Sequence, residues 1–400
     1  MSLRISTRGM TEAGIETLQK RQVEMAEAQE RLTTGKRVHK ASDDPAAAAR
    51  AERALAGQMR AETSQRAVDA SRTAMSLSET AMGDAIELLQ QAREAMVAAG
   101  NASYSDQERA NLAEKVKAIR NQLLSVANRT DGAGTFLFGG QGATTQPFVD
   151  APGGIDYRGI SGERRTELAT DLPLTVNGDS VFMTARTGNG VFQTSAGAGV
   201  TTAWIDNGQV SNPAALTGST YTLQFSVSGA TTTYAVLRDG NPTAVTAAPY
   251  VSGQDITVDG MTFRISGAPA NGNSFTVQPS SSTLSIFDAL DRAATDLATG
   301  GRSSAQIAQG NTNALRDIDQ SMAQLQGARA VAGEMLVRID GETARLADQK
   351  LANQIQRSSA EDLDMTEAIS KFQNMQTGYD AALKSYSMVQ RLSLFEYLRT

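Results

Sequence analysis

The sequence contains no cysteine, a single histidine and a single tryptophan. Without cysteine there is no disulfide framework, no thiolate metal site and no thiol nucleophile. The lone histidine, His39, sits in the basic run Lys36-Arg37-Val38-His39-Lys40 and has no second imidazole to share a metal with. It is read as a solvated loop residue. Aromatics make up only 5% of the chain, and Ala, Gly, Ser, Thr and Gln dominate. That balance predicts small-residue helix packing and Gly/Thr-rich strands rather than a large aromatic core. No apolar run approaches the length of a transmembrane helix. The opening Met1-Ser2-Leu3-Arg4-Ile5-Ser6 lacks the apolar core of a cleaved signal. A soluble chain with no membrane partner is expected, exported, if at all, without a cleaved signal.

Beyond the short Lys36-to-Lys40 run, positive charge is not concentrated in any one stretch. The net charge is −6 with a pI near 5.1, and Arg and Lys are scattered among Asp and Glu, which argues against nucleic acid as a partner. Phosphate-loop chemistry fails because Gly139-Gly140-Gln141-Gly142 is not followed by lysine. Asp43-Asp44 stands directly before Pro45, where helix capping explains it better than a carboxylate pair. No nucleophile, base and orienting group come together, so no enzyme and no cofactor are expected.

What the chain does have is helical periodicity at both ends. Ile15, Leu18, Gln22, Met25, Gln29 and Leu32 form a coiled-coil-like seam with glutamines at alternate core steps. Such a seam is weak alone. Thr33-Thr34-Gly35-Lys36 breaks it, and Ser42-Asp43-Asp44-Pro45 starts a helix predicted to run to about Ala99. Unbroken, that helix would be about 80 Å long. Val68, Met75, Met82, Leu89 and Met96 recur at heptad spacing, shadowed by Ser71, Ser78, Ala85, Ala92 and Ala99. Alternating large and small rows favour a long bundle with close helix approach. Ser105-Asp106-Gln107-Glu108 is a capping box for a third helix, with Leu112, Val116, Ile119, Leu123 and Val126 on its inner face.

Composition shifts to Gly, Thr, Ser, Asn and Pro from about residue 141 to 282. Alternation at Tyr221, Leu223, Phe225 and Val227 reads as a strand. Ile256 and Val258 turn through Asp259-Gly260 into Met261, Phe263 and Ile265, a hairpin signature. Phe275 and Val277 form another short strand, and a small β segment is expected around Tyr157 to Val176. Helix returns from Ser285 to about Ala298. It resumes from about Ser303 to Arg357 with Ile318, Met322, Leu325, Met335, Ile339 and Leu346 on its seam, Ser358-Ser359 being the expected joint before a terminal helix.

The predicted fold is therefore α+β: a long antiparallel helical bundle or coiled coil from the N- and C-terminal segments, with an inserted β-rich domain. Three divisions are expected. Residues 1–41 with 359–400 form a terminal coiled-coil assembly domain. Residues 42–188 with 284–358 form a long-helix bundle carrying a small β segment, and 189–283 form the outer β-rich insert. The terminal helix carries Phe372, Met375, Tyr379, Ala382, Tyr386, Val389 and Leu392 at steps of three and four. The candidate assembly or chaperone surface is Ile15, Leu18, Met25 and Leu32 together with Phe372, Met375, Tyr379, Tyr386, Val389, Leu392 and Phe395.

Arg4-Ile5-Ser6-Thr7, Arg31-Leu32-Thr33-Thr34-Gly35-Lys36-Arg37-Val38, Ser42-Asp43-Asp44-Pro45, Phe136-Leu137-Phe138-Gly139-Gly140 and Ser393-Leu394-Phe395 resemble the bacterial flagellin superfamily. Within the insert, Asp255 to Phe263 and Gly272 to Val277 are similar to that of the hook-associated members. Filament flagellins usually carry Asp-Asp-Ala-Ala where this chain has Asp43-Asp44-Pro45-Ala46. They also end on a Gln-Ala-Asn-Gln type segment that Tyr386 to Arg391 matches poorly. The resemblance implies a structural subunit in a ring at the hook–filament junction, adapting the hook to flagellin and allowing filament growth. Its implied partners are copies of itself, the adjacent hook-associated junction protein, flagellin and a cytoplasmic export chaperone that binds the C-terminal region. Its implied location is the secreted flagellum, reached by type III export. Two other readings stay open: bulk filament flagellin, and a surface adhesin using the insert, where Trp204, Tyr221, Tyr234 and Tyr250 offer little for a ligand site.

Overall fold

The computed structural model describes residues 7–143, 145–166 and 171–397. It begins with α1 (Thr7–Thr34), α2 (Pro45–Ala99) and α3 (Asp106–Ala127), followed by β1 (Phe148–Ala151), β2 (Gly154–Tyr157) and the short α4 (Gly178–Phe182). The insert contributes β3 (Phe192–Ala196), β4 (Ala203–Ile205), β5 (Gln209–Val210), β6 (Tyr221–Ser228), β7 (Thr231–Arg238), β8 (Asn241–Pro242) and β9 (Ala248–Pro249). It closes with β10 (Asp255–Val258), β11 (Met261–Gly267) and β12 (Ser274–Pro279). Three helices complete the chain: α5 (Ile286–Ala298), α6 (Ser304–Glu361) and α7 (Met365–Tyr397). The chain divides into two compact units, residues 1–66 with 342–400, and residues 67–341. Helices α2 and α6 each contribute to both.

In the unit 67–341 the heptad rows of α2 are inside. Val68, Met75, Met82, Leu89 and Met96 are buried, and so are Ser71, Ser78, Ala85, Ala92 and Ala99. Helix α6 runs antiparallel to this part of α2, as the pairs Arg72–Asp340, Glu79–Arg329 and Arg93–Asp319 require. At Ser71 the small side chain admits something other than a helix: its hydroxyl donates to the Pro173 carbonyl at 2.6 Å. Helix α3 opens on the predicted capping box. Ser105 Oγ accepts from Glu108 N–H and the Glu108 carboxylate accepts from Ser105 N–H. Small-residue packing rather than a large aromatic core is the expectation, and the aromatics in this unit form one local cluster. Phe138, Phe148, Phe182 and Phe287 are all buried and packed ring to ring, with centroids 5.0–6.1 Å apart. Few aromatics suffice because they are gathered in one place.

The small β segment differs from expectation. The paired strands are β1 and β2, in register from Phe148–Tyr157 to Ala151–Gly154, while the described parts of 158–176 return as single bridges such as Gly140–Ile160. Arg120, buried on α3, holds this hairpin through two bonds to the Asp150 carboxylate and two to Asp291 Oδ2 on α5. The Asp150 carboxyl is held below its usual range, first by the Arg120 hydrogen bond.

The insert is antiparallel throughout. One sheet has the order β3-β12-β6-β7-β8, with β9 on β7, and the other has β10-β11-β4, with β5 on β11. Leu223, Phe225 and Phe275 from the first join Ile205, Phe263 and Ile265 from the second in one buried cluster. Val227, the last apolar step of the alternation, is exposed near the end of β6. Asp259-Gly260 adopts left-handed conformations at both residues (φ 42° and 80°), the geometry a two-residue hairpin turn needs. Asp239-Gly240 does the same between β7 and β8 (φ 50° and 81°).

Three side chains near the start of α6 reach insert backbone. Ser303, just before the helix, donates to Thr201 O. Gln309 bonds both N–H and C=O of Ile205, at 2.8 and 3.2 Å, and Arg316 Nη1 donates to Thr194 O. Gln309 thus takes the place of a neighbouring strand beside β4.

Candidate assembly surface

In the unit formed by residues 1–66 and 342–400, α1 packs on α7. The seam on α1 is a heptad row, Leu18, Met25 and Leu32, and its counterpart on α7 is another, Phe372, Tyr379 and Tyr386. All six side chains are half-buried. Close approach is local: a Cβ placed on Gly14 would lie 3.2 Å from the Tyr386 ring, and one on Gly378 would lie 2.7 Å from Arg21 Nη1. Two residues of the expected surface face outward, Ile15 at 42% and Met375 at 37% exposure. The side chains of Val389, Leu392 and Phe395 lie outside the described residues.

Further apolar groups are exposed that the sequence reading did not single out: Val23 on α1, Met59 on α2, Leu351 and Ile355 on α6, and Met365, Ile369, Leu383 and Met388 on α7. On a helix of 3.6 residues per turn, Ile369 and Leu383 fall on the flank beside the Phe372–Tyr379–Tyr386 row, and Met365, one heptad before Phe372, continues that row toward the helix start. The apolar arc of α7 is therefore wider than the stripe α1 covers. What is buried in this unit is small: Ala47, Ala51, Ala54, Ala61 and Ala360, with Val38 and Leu346.

The two ends of the chain are locked at a joint built from the motifs that stood out in the sequence. Gly35 ends α1 in the left-handed conformation (φ 68°), its N–H donating to Arg31 O. Lys36 then bridges Asp362, and Arg37 and Val38 donate backbone N–H groups to Glu361 O. Leu363 N–H returns to Gly35 O. The Arg37 guanidinium spans the joint, reaching Ala360 O and the Asp44 carboxylate. Asp44 caps α2 through the Ala47 N–H, which draws its carboxyl below the usual range. Asp43 accepts from Lys40 and His39 N–H, and is lowered by them in that order. His39 is exposed as expected, and its Nε2 also lies 3.2 Å from Glu30 Oε1.

The joint before α7 is not at Ser358-Ser359. Both serines are helical, and Ser359 bonds back to Ile355 O. Helix α6 ends at Glu361 and α7 is capped by Asp364, whose Oδ1 accepts from Thr366 and Glu367 N–H. The Asp364…Glu367 spacing is a capping signal that would have found it. Among the described residues no group of His, Asp and Glu is arranged to hold a metal, and no helix is long and apolar enough to cross a membrane. This surface can bury apolar helices against other helices.

Comparison with known proteins separates the helical ends from the insert. The bacterial flagellin N-terminal helical region matches residues 5–143 and the bacterial flagellin C-terminal helical region matches residues 315–398. Between them, the D2-like domain of flagellar hook-associated protein 1 matches residues 193–279. Flagellar hook-associated protein 3 of Salmonella typhimurium is 31% identical over 180 residues, 45% of this chain and 57% of that protein. The chain thus spans little more than half the length of this curated relative. Two solved Legionella pneumophila structures are similar. Flagellar hook-associated protein-3 is 26% identical with a TM-score of 0.71, over 77% of this chain and 98% of that one. The flagellar junction protein FlgL is 29% identical with a TM-score of 0.64, over 70% of this chain and 95% of that one. With flagellin helical regions at both ends and a hook-associated module between them, the chain belongs to the bacterial flagellin superfamily, on its hook-associated side.

Proposed function

We propose that this chain is a non-enzymatic structural subunit of the bacterial flagellum, assembled as a ring at the hook–filament junction, where it adapts the hook to flagellin and allows the filament to grow. The observation that carries the reading is the terminal helix pair, which keeps its apolar rows half-buried and an adjoining apolar flank exposed. Neighbouring copies, the adjacent hook-associated junction protein and the first flagellins supply the missing cover. The terminal assembly domain does this work. Ile15, Leu18, Met25 and Leu32 with Phe372, Met375, Tyr379, Tyr386, Val389, Leu392 and Phe395 form the assembly surface. Before assembly a cytoplasmic export chaperone shields the C-terminal part of it, and the chain leaves by type III export without a cleaved signal.

The pairing of terminal helices costs ordering entropy that only assembly offsets, which confines polymerisation to the growing tip. Deleting the gene tests the reading. Hooks without filaments, with flagellin released into the medium, are expected; absence of flagellin itself would make this chain the filament subunit, and normal filaments would overturn the reading altogether.

A further inference from the structure

The methionines are sorted by unit. Met75, Met82, Met96 and Met261 are buried in the unit 67–341, and Met322 is nearly so. Every exposed methionine among the described side chains belongs to the other unit: Met59 at 58%, Met365 at 45%, Met375 at 37% and Met388 at 62%. Three of these are on α7. Met375 falls on the heptad row it shares with Ala368 and Ala382, and Met365 heads the row of Phe372, Tyr379 and Tyr386 at its exposed end. With no cysteine in the chain, thioethers are its only sulfur nucleophiles.

We propose that Met365, Met375 and Met388, with Met59, are a sulfoxidation site through which peroxides or hypohalous acids attenuate assembly of the free subunit. With hydrogen peroxide the thioether sulfur attacks one peroxide oxygen and the O–O bond breaks. That oxygen is transferred to sulfur, which is oxidised by two electrons, and the remaining oxygen leaves as water. The product replaces a soft apolar group with a strong hydrogen-bond acceptor. Exposed to water, the sulfoxide is harmless to the fold. Pressed into a helix seam without a donor it is an unsatisfied buried acceptor, which opposes burial. The chemistry therefore acts on the subunit before assembly and is blocked once neighbours cover α7. Met75, Met82, Met96 and Met261 are shielded from the same oxidant by burial, while Met25, Met183 and Met335 are half-buried and should react at intermediate rates. The consequence for assembly rests on the structural-subunit reading, whereas the pattern of oxidation does not.

The test uses the full purified chain and hydrogen peroxide. Peptide mass spectrometry over a time course should show Met59, Met365, Met375 and Met388 oxidised at least about tenfold faster than Met75, Met82, Met96 and Met261. The same samples are then assayed for seeding flagellin polymerisation on isolated hooks. Oxidised wild type should lose about tenfold or more of its seeding relative to untreated protein, and methionine sulfoxide reductase should restore it. In the variant Met59→Leu, Met365→Leu, Met375→Leu, Met388→Leu, the ratio of treated to untreated seeding should stay near one. Changing the same four to Gln, which places a polar acceptor there without oxidant, should reduce seeding by itself. Uniform oxidation of interior and exposed methionines, or oxidised wild type that seeds like untreated protein, overturns the proposal. Untreated wild type that cannot seed at all overturns the structural-subunit reading instead, and the assembly consequence with it.

Discussion

The two units solve the same problem, covering apolar helix faces, to different degrees. In residues 67–341 the rows of α2 disappear under α3, α5 and α6, and four phenylalanines knit the bundle to β1, α4 and the 136–148 segment. In residues 1–66 and 342–400 the heptad rows on α1 and α7 pack on each other, and their described side chains stay only partly buried. Yet the patterns look alike in sequence, both having apolar residues at heptad spacing. Periodicity tells which face of a helix is apolar. It does not tell whether the cover comes from the same chain.

Substitutions can break this contrast if it is wrong. The largest effect is expected in the bundle: Phe182→Ala or Leu89→Ala should each cost about 3–5 kcal/mol of unfolding free energy, the range for emptying a packed site. The equivalent truncation in the other unit, Leu351→Ala or Met59→Ala, should change it by less than about 0.5 kcal/mol, because those side chains are already exposed. Denaturant titration of the free chain decides both, and equal costs would erase the distinction. Next, Tyr379→Asp with Tyr386→Asp places charge in the α1–α7 seam. Seeding of flagellin on hooks should be lost, while the melting transition of the bundle stays where it was. Retained seeding would remove these residues from the assembly surface. The same variant separates the chaperone contribution, since chaperone binding should fall with it; unchanged binding would confine the stripe to subunit packing.

Smaller effects probe the polar fastenings. Arg120→Ala removes a buried guanidinium from Asp150 and Asp291 and should cost about 2 kcal/mol, both carboxylates being free to turn toward water. Gln309→Ala should raise the exchange rate of the Ile205 amide by about tenfold, the worth of roughly one neutral hydrogen bond, without changing exchange in β6. The gentlest test is pH. Asp43 and Asp44 have carboxyls lowered in the folded joint, so their contribution is present above the ordinary Asp value of about 3.9 and is lost as pH falls through the lower folded values. Protection of the Lys40 and Ala47 amides, relative to their intrinsic exchange at each pH, should fall on acidification, and Asp44→Asn should blunt that response at Ala47.

Much of this architecture was legible because local chemistry dictates it. The Val68-to-Met96 row, the Ser105–Glu108 box and the Asp259-Gly260 turn each follow from a few neighbouring residues, and each stands where expected. What was not legible depends on distant partners. Phe138, Phe148, Phe182 and Phe287 are scattered over the sequence and meet only in the fold. The joint was misplaced to Ser358-Ser359 because serines look like breakers, but a buried Ala360 and the Lys36–Glu361 pairing carry the helix three residues further. Gln309 gave no signal at all, since a glutamine on a helix is ordinary until a strand edge lies against it. The candidate surface was half legible: its stripe is in the periodicity, and its extra flank of Ile369 and Leu383 is visible only once α1 is in place.

Hydrogen exchange across the purified, unassembled chain tests the central claim most directly. The account predicts that amides of α1 and α7 exchange far faster than those of α3, α5, β6 and β11, and that assembly onto hooks slows α1 and α7 specifically. Terminal helices protected in the free chain as strongly as the bundle would contradict it, because such helices would already have all the cover they need.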